Sequence, residues 1–346
     1  MLPLSEIHAM HQSVDDGWRS PVADAVATRW GIAPGSARYW RSSASHVFVV
    51  PPGSDPRGVL YLRFVPATLR ARASLEVPAD LLAALGADAG VVVPLPSLAG
   101  RLVETIPTPH GDVHAVVVPR APGAELDADD LTTAQATAWG SALARFHLAA
   151  APHAPLVASL ARPEHARPRN GGDAFTTLAD IAAGAGDAAL AEAAVLLSAE
   201  WVLATAGLPG GVLHGDFELD NLRFEDGHIV AFDVDETSIG PYALDIAFAV
   251  RDLVGSHGTL DEPERPALLS AFLEGYQQVR PLGDDERDVL SLSSTHVSAR
   301  SLVHGHEVLD AGDSPDDPAW LTDLRSSLAE QDTRSRGVLL AAVRPA

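Results

Sequence analysis

The stretch VLHGDFELDNLRFEDGHIVAFDVDETSIGPYALDIAF, residues 212–248, decides the fold prediction. His214-Gly215-Asp216 is followed by Asn221, five residues after the aspartate. Asp233 comes 17 residues after Asp216, at the end of an apolar run with β character. Two short β-like runs therefore each lead into polar residues, and the spacing predicts that carboxylates and an amide meet at one site.

Carboxylates and an amide in this order suit phosphoryl transfer. That reaction needs an aspartate to accept or orient the proton of the attacking hydroxyl, and an asparagine and second aspartate to hold Mg²⁺ against the phosphates. A chance His-Gly-Asp is the competing explanation, since His110-Gly111-Asp112 is a second copy. Val117, not asparagine, stands five residues after Asp112, so the second copy is predicted to be a hairpin turn.

Composition excludes several classes of function. The 346 residues suffice for about two domains, and 47 % hydrophobic residues indicate a globular chain. Without cysteine there are no disulfides, thiolate metal sites or cysteine nucleophiles. The net charge of −22, with arginine the only strong base, argues against nucleic-acid binding and favours a cationic small molecule.

The chain shows no apolar run of the roughly 20 residues that span a bilayer, and its start does not resemble a signal peptide. We therefore expect a cytoplasmic protein without a membrane partner. The sequence makes no prediction about oligomeric state.

The predicted architecture is α+β. Residues 1–120 contain β-rich runs, among them HVFVVPP, GVLYLRFV, VVVPLP, GRLVETIP and HAVVVPR, and LEVPADLLAALG predicts one inserted helix. Residues 121–346 are mainly helical with one β-pair, and residues 151–173 are predicted to be a loop on the substrate side.

Four motifs together resemble the aminoglycoside phosphotransferase-like superfamily of small-molecule kinases, relatives of the protein kinases. They are H-G-D-x-x-x-x-N, the continuation FDVDETSIGPYALDIA, the helix GSALARFH and the late helix AFLEGYQQVRPL. The resemblance runs from about residue 21 to residue 305. It implies a bilobal protein-kinase-like fold, with a nucleotide-binding N-lobe at 1–120 and a C-lobe at 121–346 that carries the catalytic loop and the acceptor site.

The resemblance also assigns roles in the second part of the chain. Asp216 would be the catalytic aspartate, and His214 would brace its loop. Asn221 and Asp233 would be the Mg²⁺ ligands, and Asp245 would bind the backbone of the catalytic loop.

In the first part of the chain the resemblance implies a nucleotide site. Arg63 occupies the strand position of the phosphate-binding cation, with Glu76 or Asp80 as its helix partner. Ser45 is a candidate phosphate contact, although the first hairpin lacks G-x-G-x-x-G. Backbone groups near Val118 to Arg120 would meet the nucleotide base.

The implied activity is Mg²⁺-dependent transfer of the γ-phosphate of ATP or GTP to a small-molecule hydroxyl. The superfamily includes antibiotic-resistance enzymes, and the acidic net charge favours a cationic acceptor such as an aminoglycoside. The D-x-D-E and G-Y motifs instead resemble homoserine-kinase-like and stress-response branches. The acceptor therefore stays open between aminoglycoside-, homoserine- and amino-alcohol-like compounds.

Three alternatives remain at this point. IVAFDVDET and GDDERD resemble a haloacid-dehalogenase-type phosphatase with Asp233 as nucleophile and Asp235 as acid/base, although the lysine that chemistry uses is absent. A kinase-shaped nucleotide-binding protein without turnover is the second. The third is a minor site, either a transition-metal site at paired histidines or a phosphate clamp at Arg162, Arg167 and Arg169.

Overall fold

The computed structural model describes residues 1–161, 173–254, 265–310, 312, 314 and 317–343. The described residues form two compact units. The first unit is Met1–Ala121 with the described parts of 156–170 and 307–314. The second unit holds the described parts of 122–155, 171–306 and 315–346. Residues 162–172, which include Arg162, Arg167 and Arg169 and make up about half of the predicted substrate-side loop 151–173, lie outside the described residues. The described residues 151–161 form short helical segments rather than the predicted loop.

A five-stranded antiparallel sheet organises the first unit. Its strands are β1 (Arg38–Ser42), β2 (His46–Val50), β3 (Leu60–Pro66), β4 (Val103–Thr108) and β5 (Gly111–Pro119), in the order β1-β2-β3-β5-β4. In β3 the alternating Leu60, Leu62 and Phe64 are fully buried, and Arg63 between them points to the other face. The register pairs Val47 with Arg63 and Arg63 with Val116.

Three helices accompany this sheet: α1 (Leu4–Gln12), α2 (Pro21–Arg29) and α3 (Ala73–Leu85). Ser20 caps α2 by accepting a hydrogen bond from the Val22 N–H, and Pro21 occupies the first helical position. Buried residues of α2 and Trp30 pack on Phe48 and Phe64 in one core. The sequence analysis did not predict α1.

The segment VVVPLP is not a strand, contrary to the prediction. Val91 and Leu95 form only isolated bridges, that of Leu95 to Val117 of β5. Pro94 and Pro96 flank Leu95, and neither can donate a hydrogen bond to a neighbouring strand. The second His-Gly-Asp copy lies at the β4–β5 hairpin, where Thr108 pairs with Gly111 and Gly111 has φ +103°, so the predicted turn is confirmed.

The second unit is mainly helical. Its helices are α4 (Thr133–Ala150), α5 (Ala154–Ala158), α6 (Ala174–Gly184), α7 (Ala188–Thr205), α8 (Tyr242–Ala249), α9 (Pro266–Val279), α10 (Asp284–Asp288), α11 (Leu290–Val308) and α12 (Ala319–Ala342), with α5 at the boundary between the units. Among the described helices, α7 is long and apolar enough to cross a membrane by length and composition. Its buried positions, including Leu197 and Trp201, pack in a core with residues of α6, α11 and α12.

The predicted β-pair of the second unit is wrong in its pairing. The two β-like runs belong to different two-stranded sheets: β6 (Gly210–Leu213) pairs with β9 (Ser238–Pro241), and β7 (Leu222–Glu225) pairs with β8 (His228–Ala231). Gly227 at φ +85° closes the β7–β8 hairpin, whereas β6 pairs with β9, which follows both of those strands in the chain. The loop that begins at His214 connects the end of β6 to the start of β7.

Helices α4 and α9 touch through their backbones. A Cβ on Gly140 would lie 1.9 Å from the carbonyl oxygen of Phe272, and a Cβ on Gly275 would lie 2.0 Å from that of Thr137. Ser141 Oγ also donates to the Gly275 carbonyl at 2.9 Å. Glycine is therefore required at both contact points, and this explains the glycines of GSALARFH and AFLEGYQQVRPL.

Candidate active site

The loop after β6 is held by one buried carboxylate. Asp245 of α8 accepts a hydrogen bond from the His214 N–H at Oδ2 and from the Gly215 N–H at Oδ1, each at 2.8 Å. Gly215 has φ +82°, and a Cβ there would lie 2.2 Å from the Glu236 carbonyl oxygen. Only glycine fits at this position, and Asp245 makes the contact that the resemblance implied.

His214 is a buried, neutral part of this loop. Burial lowers the pKa of its imidazole to about 4. Its Nδ1 accepts a hydrogen bond from the Asp216 N–H at 3.3 Å, so the neutral ring carries its proton on Nε2. The ring packs edge-on against Phe146 and Phe217. These contacts suit the predicted bracing role, because a ring without exposed surface is closed to a substrate.

Asp216 and Asn221 are in direct contact. Asn221 Nδ2 donates to Asp216 Oδ2 at 2.8 Å and to the Asp216 carbonyl oxygen at 3.0 Å. Burial raises the pKa of Asp216 to about 6, against the opposing effect of Arg251, and the Asp233 charge contributes to the rise. The Asp216 side chain keeps 24 % of its surface exposed, so the carboxylate is accessible to a ligand.

Asp233 is brought to the same place by the end of β8. The Phe232 N–H donates to the Asn221 carbonyl oxygen at 3.0 Å, which joins the two segments that carry the predicted metal ligands. Asp233 itself has φ +66°, a left-handed conformation that costs a residue with a Cβ free energy. Such conformations concentrate at functional sites, where the surrounding structure holds them.

The residues present fit a divalent cation such as Mg²⁺. With Nδ2 bound to Asp216, the Asn221 amide has its oxygen left for a ligand, and Asp233 adds a carboxylate. Mg²⁺ is commonly held by one or two carboxylates together with substrate phosphates rather than by a full protein cage. Accordingly, no group of three or more His, Cys, Asp or Glu side chains suited to a metal occurs among the described residues.

Two arginines near Asp216 were not predicted. Arg251 forms an ion pair with Glu218, and its Nη1 lies 3.9 Å from Asp216 Oδ1. Arg300 of α11 donates to the Gly215 carbonyl at 3.1 Å and to Glu236 at 3.2 Å. No sequence motif marked either residue, because the turn after α8, which carries Arg251, and α11 reach the loop only through tertiary packing.

Helix α4 supports the same loop from its buried face. Trp139 Nε1 donates to the Phe217 carbonyl at 3.2 Å, and His147 Nε2 contacts Asp245 Oδ2 at 2.9 Å. Both side chains are fully buried. An apolar helix face that carries a tryptophan and a histidine was the only signal of this role in the sequence.

The residues of the first unit that were predicted to bind the nucleotide differ in their surroundings. Ser45 is buried in the β1–β2 turn, and no described residue bonds its hydroxyl. Arg63 lies on β3 as predicted. Glu76 Oε1 binds Arg72 Nε at 2.6 Å, because the two residues stand one helical turn apart, and its pairing with Arg63 stays a prediction. The competing candidate Asp80 has its pKa raised by burial and by the Glu76 charge.

The backbone groups of the Val118–Arg120 segment, which were predicted to meet the nucleotide base, are partly used by the sheet. Val118 pairs with Tyr61 in the β3–β5 ladder, and the Arg120 N–H donates to the Val59 carbonyl at 3.0 Å. The Arg120 N–H is therefore not available to a base, which corrects the expectation for that group.

The phosphatase alternative does not agree with the fold. Asp233 and Asp235 follow a strand of a two-stranded antiparallel hairpin, and all named strand pairs among the described residues are antiparallel. Haloacid-dehalogenase-type chemistry was expected on an α/β core. The segment GDDERD forms α10, whose Glu286 is buried and paired with Arg280.

Several solved structures share the fold. An amicoumacin kinase, hAmiN, solved with AMP-PNP and Ca²⁺, aligns at TM-score 0.70 and 17 % identity, over 97 % of this chain and 96 % of that one. A microcompartment-associated aminopropanol kinase gives 0.63 and 20 %, over 92 % and 94 %. The GDP complex of aminoglycoside 2'-phosphotransferase-IIIa gives 0.60 and 13 %, over 91 % and 97 %. The predicted α+β, protein-kinase-like fold is confirmed.

Curated relatives match only locally. The homoserine kinase of Neisseria meningitidis serogroup B is 36 % identical over 81 residues, 23 % of this chain and 26 % of the relative. That of Gluconobacter oxydans is 31 % identical over 106 residues, 29 % of this chain and 31 % of the relative. The chain thus spans about a quarter to a third of these relatives.

One family matches most of the chain. Residues 42–287, which run from the last residue of β1 into α10, match the phosphotransferase enzyme family. This match confirms the predicted enzyme class, a phosphotransferase, and the chain belongs to the phosphotransferase enzyme family.

Proposed function

We propose that this protein is a cytoplasmic kinase that transfers the γ-phosphate of ATP or GTP, with Mg²⁺, to a hydroxyl group of a small amine-bearing alcohol. The observation that carries the proposal is the hydrogen bond from Asn221 Nδ2 to Asp216 Oδ2. The Phe232 N–H bonds the Asn221 carbonyl, which joins the neighbouring Asp233 to the same loop. A carboxylate, an amide and a second carboxylate thus come together as phosphoryl transfer requires.

Each residue of this group has a defined task in the proposal. Asp216 orients the acceptor hydroxyl and receives its proton, and Asn221 keeps the Asp216 carboxylate in one orientation. The Asn221 oxygen and the Asp233 carboxylate would hold Mg²⁺, which when bound neutralises charge on the phosphates. Little covalent chemistry is left to the protein, so positioning accounts for most of the rate enhancement.

The first unit would bind the nucleotide. Arg63 is the proposed cation for the phosphates, and its guanidinium offers a broader fork of donors than a lysine. Ser45 is the proposed phosphate contact in the β1–β2 turn; its hydroxyl is buried without a described partner, so the side chain has to turn outward to bond a phosphate. Carbonyl groups of the Val118–Arg120 segment are proposed to receive the base.

The acceptor is proposed from two observations. The proteins compared above are named after homoserine, aminopropanol and aminoglycosides, and each of these compounds combines a hydroxyl with an amine. The net charge of −22 attracts such cations over a long range. Aminoglycosides belong in the same substrate screen, and their phosphorylation would make the protein an antibiotic-resistance enzyme.

The first experiment is a thermal-shift titration with ATP and GTP, each with and without Mg²⁺. A ligand at 100 times its Kd stabilises the folded state by about 2.7 kcal/mol, so binding is readily detected. We expect a Mg²⁺-dependent shift that Asp233→Asn abolishes. Asp112→Asn, from the second His-Gly-Asp copy in a hairpin turn, is the matched control and should keep the shift.

The second experiment measures ADP or GDP release over a panel of amino alcohols, homoserine, sugars and aminoglycosides. Acceptor-dependent release identifies the substrate class. Nucleotide binding without release on any acceptor would identify a kinase-fold binding protein instead. Absence of any nucleotide shift would refute the proposal and make small phosphate esters the next substrates to test.

A further inference from the structure

A chain of buried hydrogen bonds runs from α10 to the catalytic loop. Glu286 Oε1 accepts from Arg280 Nη1 at 2.9 Å, and Arg280 Nη1 lies 3.3 Å from the Tyr276 hydroxyl. That hydroxyl lies 2.7 Å from His147 Nδ1, and His147 Nε2 lies 2.9 Å from Asp245 Oδ2.

We propose that Tyr276, held by Arg280 and Glu286, is a positioning residue for phosphoryl transfer: through His147 it fixes the carboxylate of Asp245 that holds the catalytic loop. The inference rests on the proposed function for its kinetic consequences. The contacts themselves lie within the second unit and involve no ligand.

The direction of each hydrogen bond follows from the groups present. The Asp245 carboxylate only accepts, so His147 donates from Nε2 and its Nδ1 must accept from the Tyr276 hydroxyl. Arg280 only donates, so it gives a proton to the Tyr276 oxygen. Burial lowers the pKa of His147 and keeps the ring neutral, and it raises the pKa of Tyr276 above its usual range. One arrangement of protons therefore satisfies the whole chain.

The packing closes the centre of this chain to water. His147 and Tyr276 are fully buried, and Asp245 is 1 % exposed. The glycine contacts between α4 and α9 set the distance at which His147 and Tyr276 meet. A buried polar group that loses its partner cannot recover it from water, so removal of the Tyr276 hydroxyl leaves His147 free to tilt.

Asp245 transmits such a change to the loop, because its two oxygens bind the N–H groups of successive residues. Rotation of this one carboxylate weakens the bonds to both His214 and Gly215. Asp216 follows directly in the chain. A small displacement of a catalytic group lowers the rate of transfer without removing any contact to the nucleotide.

The test compares Tyr276→Phe with Tyr242→Phe by amide hydrogen exchange, resolved by NMR or fragmentation mass spectrometry. Tyr242 is the matched control: its ring also lies against His147, at 4.3 Å, but its hydroxyl bonds no described residue. Tyr276→Phe should raise the exchange rate of the His214 and Gly215 amides about three- to tenfold, the loss of one buried hydrogen bond. Tyr242→Phe should leave both rates unchanged.

Kinetics provide the second readout. In Tyr276→Phe we expect kcat to fall about tenfold while the Kd for the nucleotide stays unchanged, which a general loss of folded protein would not produce. Arg280→Met, which keeps the aliphatic stem, should give a smaller change in the same direction and serves if Tyr276→Phe does not fold.

The two readouts separate the inference from the proposed function. Unchanged exchange at His214 and Gly215 in both Tyr276→Phe and Arg280→Met would overturn the positioning role, whatever the activity. So would an equal increase in the Tyr242→Phe control. A wild-type protein without kinase activity would refute the proposed function, and the exchange measurement would still decide the role of Tyr276.

Discussion

Replacement of Gly140 by alanine tests the close contact of α4 with α9. The added Cβ would lie 1.9 Å from the Phe272 carbonyl oxygen and 3.0 Å from the Tyr276 nitrogen. Both neighbours are backbone atoms, so no side-chain rotation relieves the overlap. The helices must separate by about 1.5 Å to restore ordinary van der Waals contact.

The expected cost follows from what this separation breaks. Overpacking of a core costs about 1–3 kcal/mol. The buried bonds from Ser141 to Gly275 and from Tyr276 to His147, now 2.9 and 2.7 Å, each contribute about 1 kcal/mol. Alanine recovers about 1 kcal/mol of helix propensity. We therefore expect the free energy of unfolding to fall by about 2–4 kcal/mol.

Urea unfolding followed by tryptophan fluorescence measures this change, because Trp139 packs against Phe272 at the same interface. Gly337→Ala in α12 is the matched control, since nothing lies within 4 Å of its added Cβ. There we expect a gain of about 0.5–1 kcal/mol. If the two substitutions changed stability alike, the backbone contact between α4 and α9 would not have the importance assigned to it.

Three further predictions concern single side chains. Asp216→Asn should lower turnover about 10²- to 10⁴-fold in a nucleotide-release assay with the nucleotide Kd retained, while Asp112→Asn keeps full activity. Ser45→Ala should weaken nucleotide binding about three- to tenfold, as measured by calorimetry. Stability should not change, because the hydroxyl has no described partner to lose. An unchanged Kd would exclude the phosphate contact. Burial lowers the pKa of His214 from 6.5 to about 4, so the unfolded chain binds a proton in this window that the folded chain does not. The unfolding free energy should therefore fall as pH decreases from 6.5 to 4, and His214→Gln should reduce that slope by about 1.4 kcal/mol per pH unit; an identical slope in both proteins would contradict a neutral buried His214.

Much of the site was predictable because its residues are close in sequence. Asp216 and Asn221 are five positions apart, and a short loop between strands is enough to bring them into contact. The α+β class likewise followed from β-rich runs in the first 120 residues and helical periodicity after them. Strand pairing was harder to predict from the sequence. The segment VVVPLP is rich in β-forming residues, and the prolines beside Leu95 explain why it is not a strand.

Ion pairs and long-range supports were not predictable to the same degree. Glu76 was expected to bind Arg63, and the sequence analysis did not foresee its ion pair with Arg72, which immediately precedes α3. Arg251 and Arg300 carry no motif, and only tertiary packing places them beside Asp216 and Gly215.

The sequence by itself determined the chemistry of the loop: His214, Asp216 and Asn221 at fixed spacing, glycine where φ is positive, and Asp233 at the end of a strand. Only the tertiary structure decided how that loop is held. His147, Asp245 and Tyr276 come from three helices far apart in the chain, and they meet because Gly140 and Gly275 let two helix backbones touch. The spacing of residues within one loop is visible in the sequence, whereas a buried hydrogen-bond network depends on distances that exist only after the helices have packed.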